Sequence, residues 1–270
     1  MRQRNKSFAG EQKVNKIGIA DYGMTVWDGG CYSLERRLDQ FKSCGFEGIE
    51  VLNAANVEDA VRKAALFRRK GMSFLTCSVN GAPEAAFETA AALGCRYVWL
   101  NCGRCTRDVP FDTWIRRAKN FTACAADWGL KAALHNHLGS VIEKQSEVER
   151  FMEEIPEALL LLDIGHLAAA GGNNAAIIGK YHDRLAAVHL KDVLIKNASI
   201  PPDADNWWDR LEFREIGGGN LGIDFGSIFA ALKAADFGKW FLIEQDTHKK
   251  DPLFELIQTQ KQIEHWMKGN

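Results

Sequence analysis

Leu160-Leu161-Leu162-Asp163-Ile164-Gly165-His166 and Ala187-Val188-His189-Leu190-Lys191-Asp192 are apolar runs that break off abruptly into charge. An apolar run this short, bounded by polar residues, reads as a strand buried on both faces, the kind found in a covered parallel sheet. Asp163, His166, His189 and Lys191 are therefore delivered by stiff elements at strand ends.

Working outward, the same rhythm recurs along the chain. Strand candidates are Lys16 to Ala20, Gly48 to Leu52, Met72 to Cys77, Tyr97 to Leu100, Leu130 to Leu134, Leu159 to Leu162, Ala186 to Leu190 and Trp240 to Ile243. Between them lie helix-like segments. Leu34, Leu38 and Phe41 have helical spacing, and residues 56–70 end at Gly71, a residue suited to a left-handed C-cap. Residues 83–93, 111–128, 146–154 and 252–267 read the same way. Eight strands, each followed by a helix-sized segment, predict a single-domain (β/α)8 TIM barrel over residues 16–270. Residues 1–15 are polar and basic and read as a poorly ordered N-terminal extension. An open doubly wound sheet is the rival, but no strand runs into a GxGxxG fingerprint. The longest irregular stretch, 193–222, holds Pro201-Pro202, Trp207-Trp208 and Gly217-Gly218-Gly219 and is expected to be an extended loop on the site side.

Composition narrows the function classes. The formal net charge of the 270 residues is -1, which leaves no electrostatic footprint for nucleic acid. No apolar run is long enough for a membrane span, and the N-terminus has no apolar leader. The seven cysteines are scattered, and only Cys102 and Cys105 have CxxC spacing, without the second pair a four-cysteine zinc site needs. Reduced thiols in a cytoplasmic protein are the plain expectation.

In such a barrel the site lies at the C-terminal ends of the strands. Glu50, Asn101, His135-Asn136-His137, Asp163, His166, His189, Lys191, Glu244 and Asp246 all fall there. Aspartate, glutamate and histidine together suit a divalent cation such as Mn²⁺, Mg²⁺ or Co²⁺, with Zn²⁺ also compatible. Each has a structural reading too: Asp163 as a helix cap, the histidines as satisfied core groups, Lys191 and Asp192 as a solvated pair, Glu244 as an ion-pair partner.

The chain resembles the xylose isomerase-like barrels, the sugar phosphate isomerase/epimerase group that includes inosose dehydratases and tagatose-type 3-epimerases. The resemblance rests on His135-Asn136-His137-Leu138-Gly139-Ser140, Asp163-Ile164-Gly165-His166, Val188-His189-Leu190-Lys191-Asp192, Gly218-Gly219 through Ile223-Asp224-Phe225, and Ile243-Glu244-Gln245-Asp246. It implies one divalent metal, Mn²⁺ first, held by Asp163, His189, Glu244 and a fourth ligand. Many relatives carry a Glu where this chain has His135. A Glu shortly after the triplet, here Glu143, is the expected fourth ligand, with His135 as the alternative. Glu143 and Glu244 are then expected to move protons through an enediolate, with His166 and Lys191 binding hydroxyls or the oxyanion. His137, Glu50, Asn101 and His135 complete a substrate-binding wall, and Trp27, Trp207 and Trp208 offer an apolar face. The expected activity is metal-dependent isomerisation or epimerisation of a small ketose or polyol ketone. Inosose dehydratase-like lyase chemistry is the second reading. A metal-free sugar-binding barrel is the alternative of another class. Neither nucleic acid nor membrane is expected as a partner, and a homo-oligomer is compatible.

Overall fold

The computed structural model describes residues 15–20, 33–81, 83–100, 109–246 and 250–268. Trp27, Asn101, Cys102 and Cys105 lie outside the described residues, as does nearly all of the expected N-terminal extension.

Eight parallel strands form the sheet: β1 (Lys16–Ala20), β2 (Gly48–Ala54), β3 (Ser73–Val79), β4 (Tyr97–Leu100), β5 (Lys131–His135), β6 (Leu159–Asp163), β7 (Leu185–Leu190) and β10 (Trp240–Glu244). Their order is β3-β2-β1-β10-β7-β6-β5-β4. The two end strands, β3 and β4, lie side by side, so the sheet is a nearly closed barrel. Helices α1 (Leu34–Ser43), α2 (Val57–Lys70), α3 (Pro83–Ala92), α4 (Phe111–Asp127) and α5 (Gln145–Glu154) connect the first six strands. Ser33 and Asn56 cap α1 and α2 through hydrogen bonds to the amides of Arg36 and Asp59, and Gly71 closes α2 in the left-handed conformation. Two short helices, α6 (Ile164–Ala169) and α7 (Asn174–Tyr181), join β6 to β7. Helix α9 (Phe225–Ala234) precedes β10, and α10 (Pro252–Lys268) closes the chain. Among the described residues no helix is long and apolar enough to cross a membrane.

Side chains alternate across a strand, and that alternation assembles the molecule. Ile17 and Ile19, Leu160 and Leu162, Val188 and Leu190, and Phe241 and Ile243 face outward into one continuous core under the helices. The opposite parity fills the barrel. Leu161, Ala187 and Leu242 form a second buried cluster with Ala20, Leu75, Tyr97 and Ala133, joined by Ala186 where the register of β7 against β6 shifts. Trp240 packs against this cluster, and room for its ring is made by glycine. A Cβ on Gly18 would stand 2.9 Å from the carbonyl oxygen of Gly48 and 3.0 Å from the Trp240 ring.

The stretch after the seventh barrel strand differs from the expected irregular loop. It contains an antiparallel hairpin, β8 (Asp192–Ile195) with β9 (Leu211–Arg214), and a single-turn helix, α8 (Trp207–Arg210). The cause is Asp192. Its buried carboxylate accepts hydrogen bonds from the amides of Val193, Gly217 and Gly219 (2.7, 3.0 and 3.1 Å) and ties the glycine turn to the hairpin base. A Cβ on Gly219 would lie 2.2 Å from Asp192 Oδ1, so that turn requires glycine. Asp192 is thus a buried structural anchor rather than half of a solvated pair.

Candidate metal centre

His135, Asp163, His189 and Glu244 share the inward parity of β5, β6, β7 and β10. They are the last or next-to-last residues of their strands. One ligand atom from each lies within 4.8 Å of all the others, which makes these four a group able to hold a metal ion. His135 Nε2 is 3.3 Å from Asp163 Oδ2 and 3.9 Å from Glu244 Oε2. His189 Nδ1 is 2.6 Å from Glu244 Oε2 and 3.7 Å from Asp163 Oδ2. Ligands about 2.1 Å from a tetrahedral ion sit roughly 3.4 Å apart, so the spacing needs only small adjustments. Two imidazole nitrogens and two carboxylate oxygens suit a divalent transition metal.

Asp163 uses its two oxygens differently. Oδ1 accepts from the His166 amide (2.8 Å) and caps α6, while Oδ2 points into the cluster. Asn136 clamps the strand ends together: its Nδ2 donates to the Asp163 carbonyl, and its Oδ1 accepts from the Asp163 amide (3.0 and 2.9 Å). Capping and clamping leave Asp163 little freedom, so Oδ2 is aimed before any ligand arrives.

Lys191 enters beside the cluster. Its Nζ lies 3.0 Å from both Asp163 Oδ2 and Glu244 Oε2, and 3.3 Å from Asp246 Oδ2. Its path depends on glycine in the Asp163-Ile164-Gly165-His166 turn, because a Cβ on Gly165 would stand 2.3 Å from Lys191 Cγ. An isolated buried ammonium costs several kcal/mol, which the three carboxylates offset here. Burial depresses the Lys191 pKa, but Asp163, Asp246 and Glu244 more than reverse this and hold it above its ordinary value. Burial likewise raises Glu244, while Lys191 and His189 pull it down to about 2. Burial opposes the charge on His189, but Glu50 and Glu244 on either side keep the ring protonated well above the usual histidine range. Four carboxylates, Glu50, Asp163, Glu244 and Asp246, thus surround Lys191 and His189. An excess of negative charge held this closely favours a cation.

His166 is buried and held neutral, first by burial and then by the charge of Lys191. Its Nε2 is 3.3 Å from Lys191 Nζ. His137 is half-buried, its ring 3.8 Å from that of His166, and its Nδ1 meets the Leu138 carbonyl at 2.6 Å. Burial first, and then His135, lower its pKa to about 4. Trp207 packs edge-on to both rings, while Trp208 is exposed.

Two predicted residues stand elsewhere than expected. Glu143 is not among the four donors that come together. The chain turns at residues 137–140, and the Glu143 carboxylate accepts the Gly139 amide at 2.7 Å inside that turn. His135, the alternative, supplies the nitrogen in the cluster. Glu50 lines a cavity with Trp99 and Glu244 but is itself buried. It is buried among Tyr97, Trp99 and His189. In the sequence Trp99 reads only as a strand residue. Its parity with Tyr97 on β4 carries the inward signal.

The xylose isomerase-like TIM barrel family model matches residues 38–268, and the chain belongs to that family. Among curated relatives, the inosose dehydratase of Geobacillus thermodenitrificans is 28% identical over 278 residues, covering 87% of this chain and 91% of its own. Among solved structures, L-ribulose 3-epimerase superposes with a TM-score of 0.70 at 14% identity, covering 96% of this chain and 95% of the other. The IOLI protein with a bound zinc atom superposes at 0.65 and 19% identity, covering 92% and 95%. At these identities the two structures speak to the fold.

Proposed function

We propose that the protein is a divalent-metal-dependent lyase that dehydrates a cyclic polyol ketone of the inosose type. The observation that carries this reading is the composition of the cluster: histidine stands at the position where the resemblance puts a first carboxylate. Epimerisation through an enediolate needs a proton acceptor on each face of the same carbon. Here Glu143 is taken up by the Gly139 amide, and Asp163 is fixed by its cap and its clamp. Glu244 is the carboxylate we assign as the base, next to neutral imidazoles and an ammonium. A single base with hydrogen-bond donors beside it suits elimination better than inversion. The full-length similarity to inosose dehydratases points the same way.

His135, Asp163, His189 and Glu244 would hold the metal. When bound, it supplies Lewis-acid polarisation of a carbonyl and its neighbouring hydroxyl. Glu244 takes the proton α to the carbonyl, and the C–H electron pair becomes the new C=C bond. Lys191, kept charged by its carboxylates, donates to the oxygen that gains charge. The β-hydroxyl departs with the C–O electron pair, takes up the proton that Glu244 has removed, and leaves as water. His166 holds Lys191 in place through its Nε2. Asn101 stays as a candidate for the substrate wall. Mn²⁺ is the metal to try first.

The test is incubation of the Mn²⁺-loaded protein in D₂O with an inosose and, separately, with ketohexoses. Loss of water from the inosose, read by NMR and by the absorbance of the product, is the expected result. Deuterium exchange into either substrate without loss of water would return the assignment to isomerase or epimerase. No exchange into any polyol ketone, with less than one metal per chain after loading, would leave a sugar-binding barrel without catalysis.

A further inference from the structure

We infer that Glu50 is a positioning residue that sets both histidines of the metal centre. The inference rests on the metal-centre reading above and extends it to a residue outside the ligand set.

Glu50 sits at an inward position of β2, with its side chain 1% exposed. Its Oε1 accepts from Trp99 Nε1 at 2.9 Å and from the Tyr97 hydroxyl at 3.2 Å. Its Oε2 faces His189 Nε2 at 2.7 Å. Trp99 and Tyr97 donate, and a carboxylate accepts the proton that His189 carries on Nε2. Nε2 is thus taken up by Glu50, and Nδ1, turned to Glu244 and Asp163, is the nitrogen left to give up its proton to a metal. A carboxylate behind the imidazole that fixes which nitrogen reaches the metal is a recurring device in metal sites.

The same carboxylate governs the second histidine through Trp99. The indole is anchored by its N–H to Glu50, and its ring lies flat against His135, with centroids 5.4 Å apart and planes 13° apart. That stacking leaves His135 Nε2 aimed at Asp163 Oδ2. Residues from β2 and β4, neither of which contributes a ligand, thus orient the ligands of β5 and β7.

Glutamine at position 50 separates this role from simple space filling. It has the same shape, but it offers one acceptor oxygen and one donor amide. If the oxygen serves Trp99 and Tyr97, the amide confronts His189 Nε2 and favours the wrong tautomer. If the oxygen serves His189, the indole and the phenol lose their partner.

The experiment is a divalent-metal titration, with Zn²⁺ against a chromophoric chelator, of the wild type, Glu50→Gln and Trp99→Phe. It is paired with proton NMR of the Co²⁺-loaded proteins. Glu50→Gln should weaken metal binding about 10- to 100-fold. It should also lose the slowly exchanging, hyperfine-shifted N–H resonance of His189 expected of the wild type. Trp99→Phe keeps a stacked ring and the Glu50–His189 contact. It should keep that resonance and lose less affinity, and it carries the test if Glu50→Gln fails to fold: affinity equal to wild type would then count against the inference. Wild-type affinity together with an unchanged resonance in Glu50→Gln would overturn the inference alone. No metal binding by the wild type would bring down the metal-centre reading, and this inference with it.

Discussion

At the N-terminal ends of the strands the barrel interior is Trp240 set over Gly18 and Gly48, with Leu75, Leu159 and Ala186 around it. At the C-terminal ends, on the same inward parity of the same strands, it is Glu50, His135, Asp163, His189 and Glu244. Leu159 and Asp163 are four residues apart on β6, and Trp240 and Glu244 four apart on β10. One end is closed by shape and the other by charge. The apolar end removes surface from water and at Gly18 and Gly48 leaves no room for a Cβ. The polar end places several ionised groups where water is scarce, and that is possible because opposite charges and hydrogen bonds answer one another. The comparison shows one scaffold keeping the two demands apart along the strand axis. Stability can be concentrated at one end while charge and reactivity are held at the other.

The comparison can be broken most forcefully at Asp163. Asp163→Asn removes a charged donor from the cluster while keeping an oxygen to cap the His166 amide. Metal-assisted stabilisation of several kcal/mol corresponds to a rate loss on the order of 10³, which turnover of the proposed substrate will measure. Circular dichroism should report an intact fold, because asparagine caps helices as well as aspartate does.

A change at the opposite end should reverse the pattern. In Gly18→Ala the new Cβ meets the Gly48 carbonyl oxygen and the Trp240 ring at 2.9 and 3.0 Å. Overpacking of this kind costs about 1–3 kcal/mol. At roughly 2–4 °C per kcal/mol for a domain of this size, thermal unfolding should move down by several degrees. Metal affinity of the folded protein should not change. A loss of affinity without a loss of stability would show that the two ends are coupled, contrary to the separation drawn above.

The smallest expected effect lies between the two. Gly165→Ala puts a methyl group 2.3 Å from Lys191 Cγ and forces that flexible side chain to shift. The four cluster donors stay in place, so metal affinity should hold. Turnover should fall about tenfold, equivalent to about 1.4 kcal/mol for one misplaced hydrogen-bond donor. Unchanged turnover would remove Lys191 from the chemistry and leave it a purely structural cation.

The chain itself determined the barrel and the inward set. The runs ending at Asp163 and His189 are apolar because both faces of each strand are covered. The period of two then dictates that Asp163, His189 and Glu244 share a side with Leu161, Ala187 and Leu242. Tertiary structure decided what no local pattern encodes. After β5 the direction of a side chain depends on a turn, and the turn sends the Glu143 carboxylate to the Gly139 amide while His135, still on the strand, keeps its aim. Asp192 looks like a solvated charge beside Lys191, yet it folds a glycine turn against itself and builds a hairpin where an irregular loop was expected. Glu50 is separated from His189 by 139 positions. Only closure of the sheet brings them to 2.7 Å, because hydrogen bonds between strands, not proximity along the chain, fix which inward side chains become neighbours.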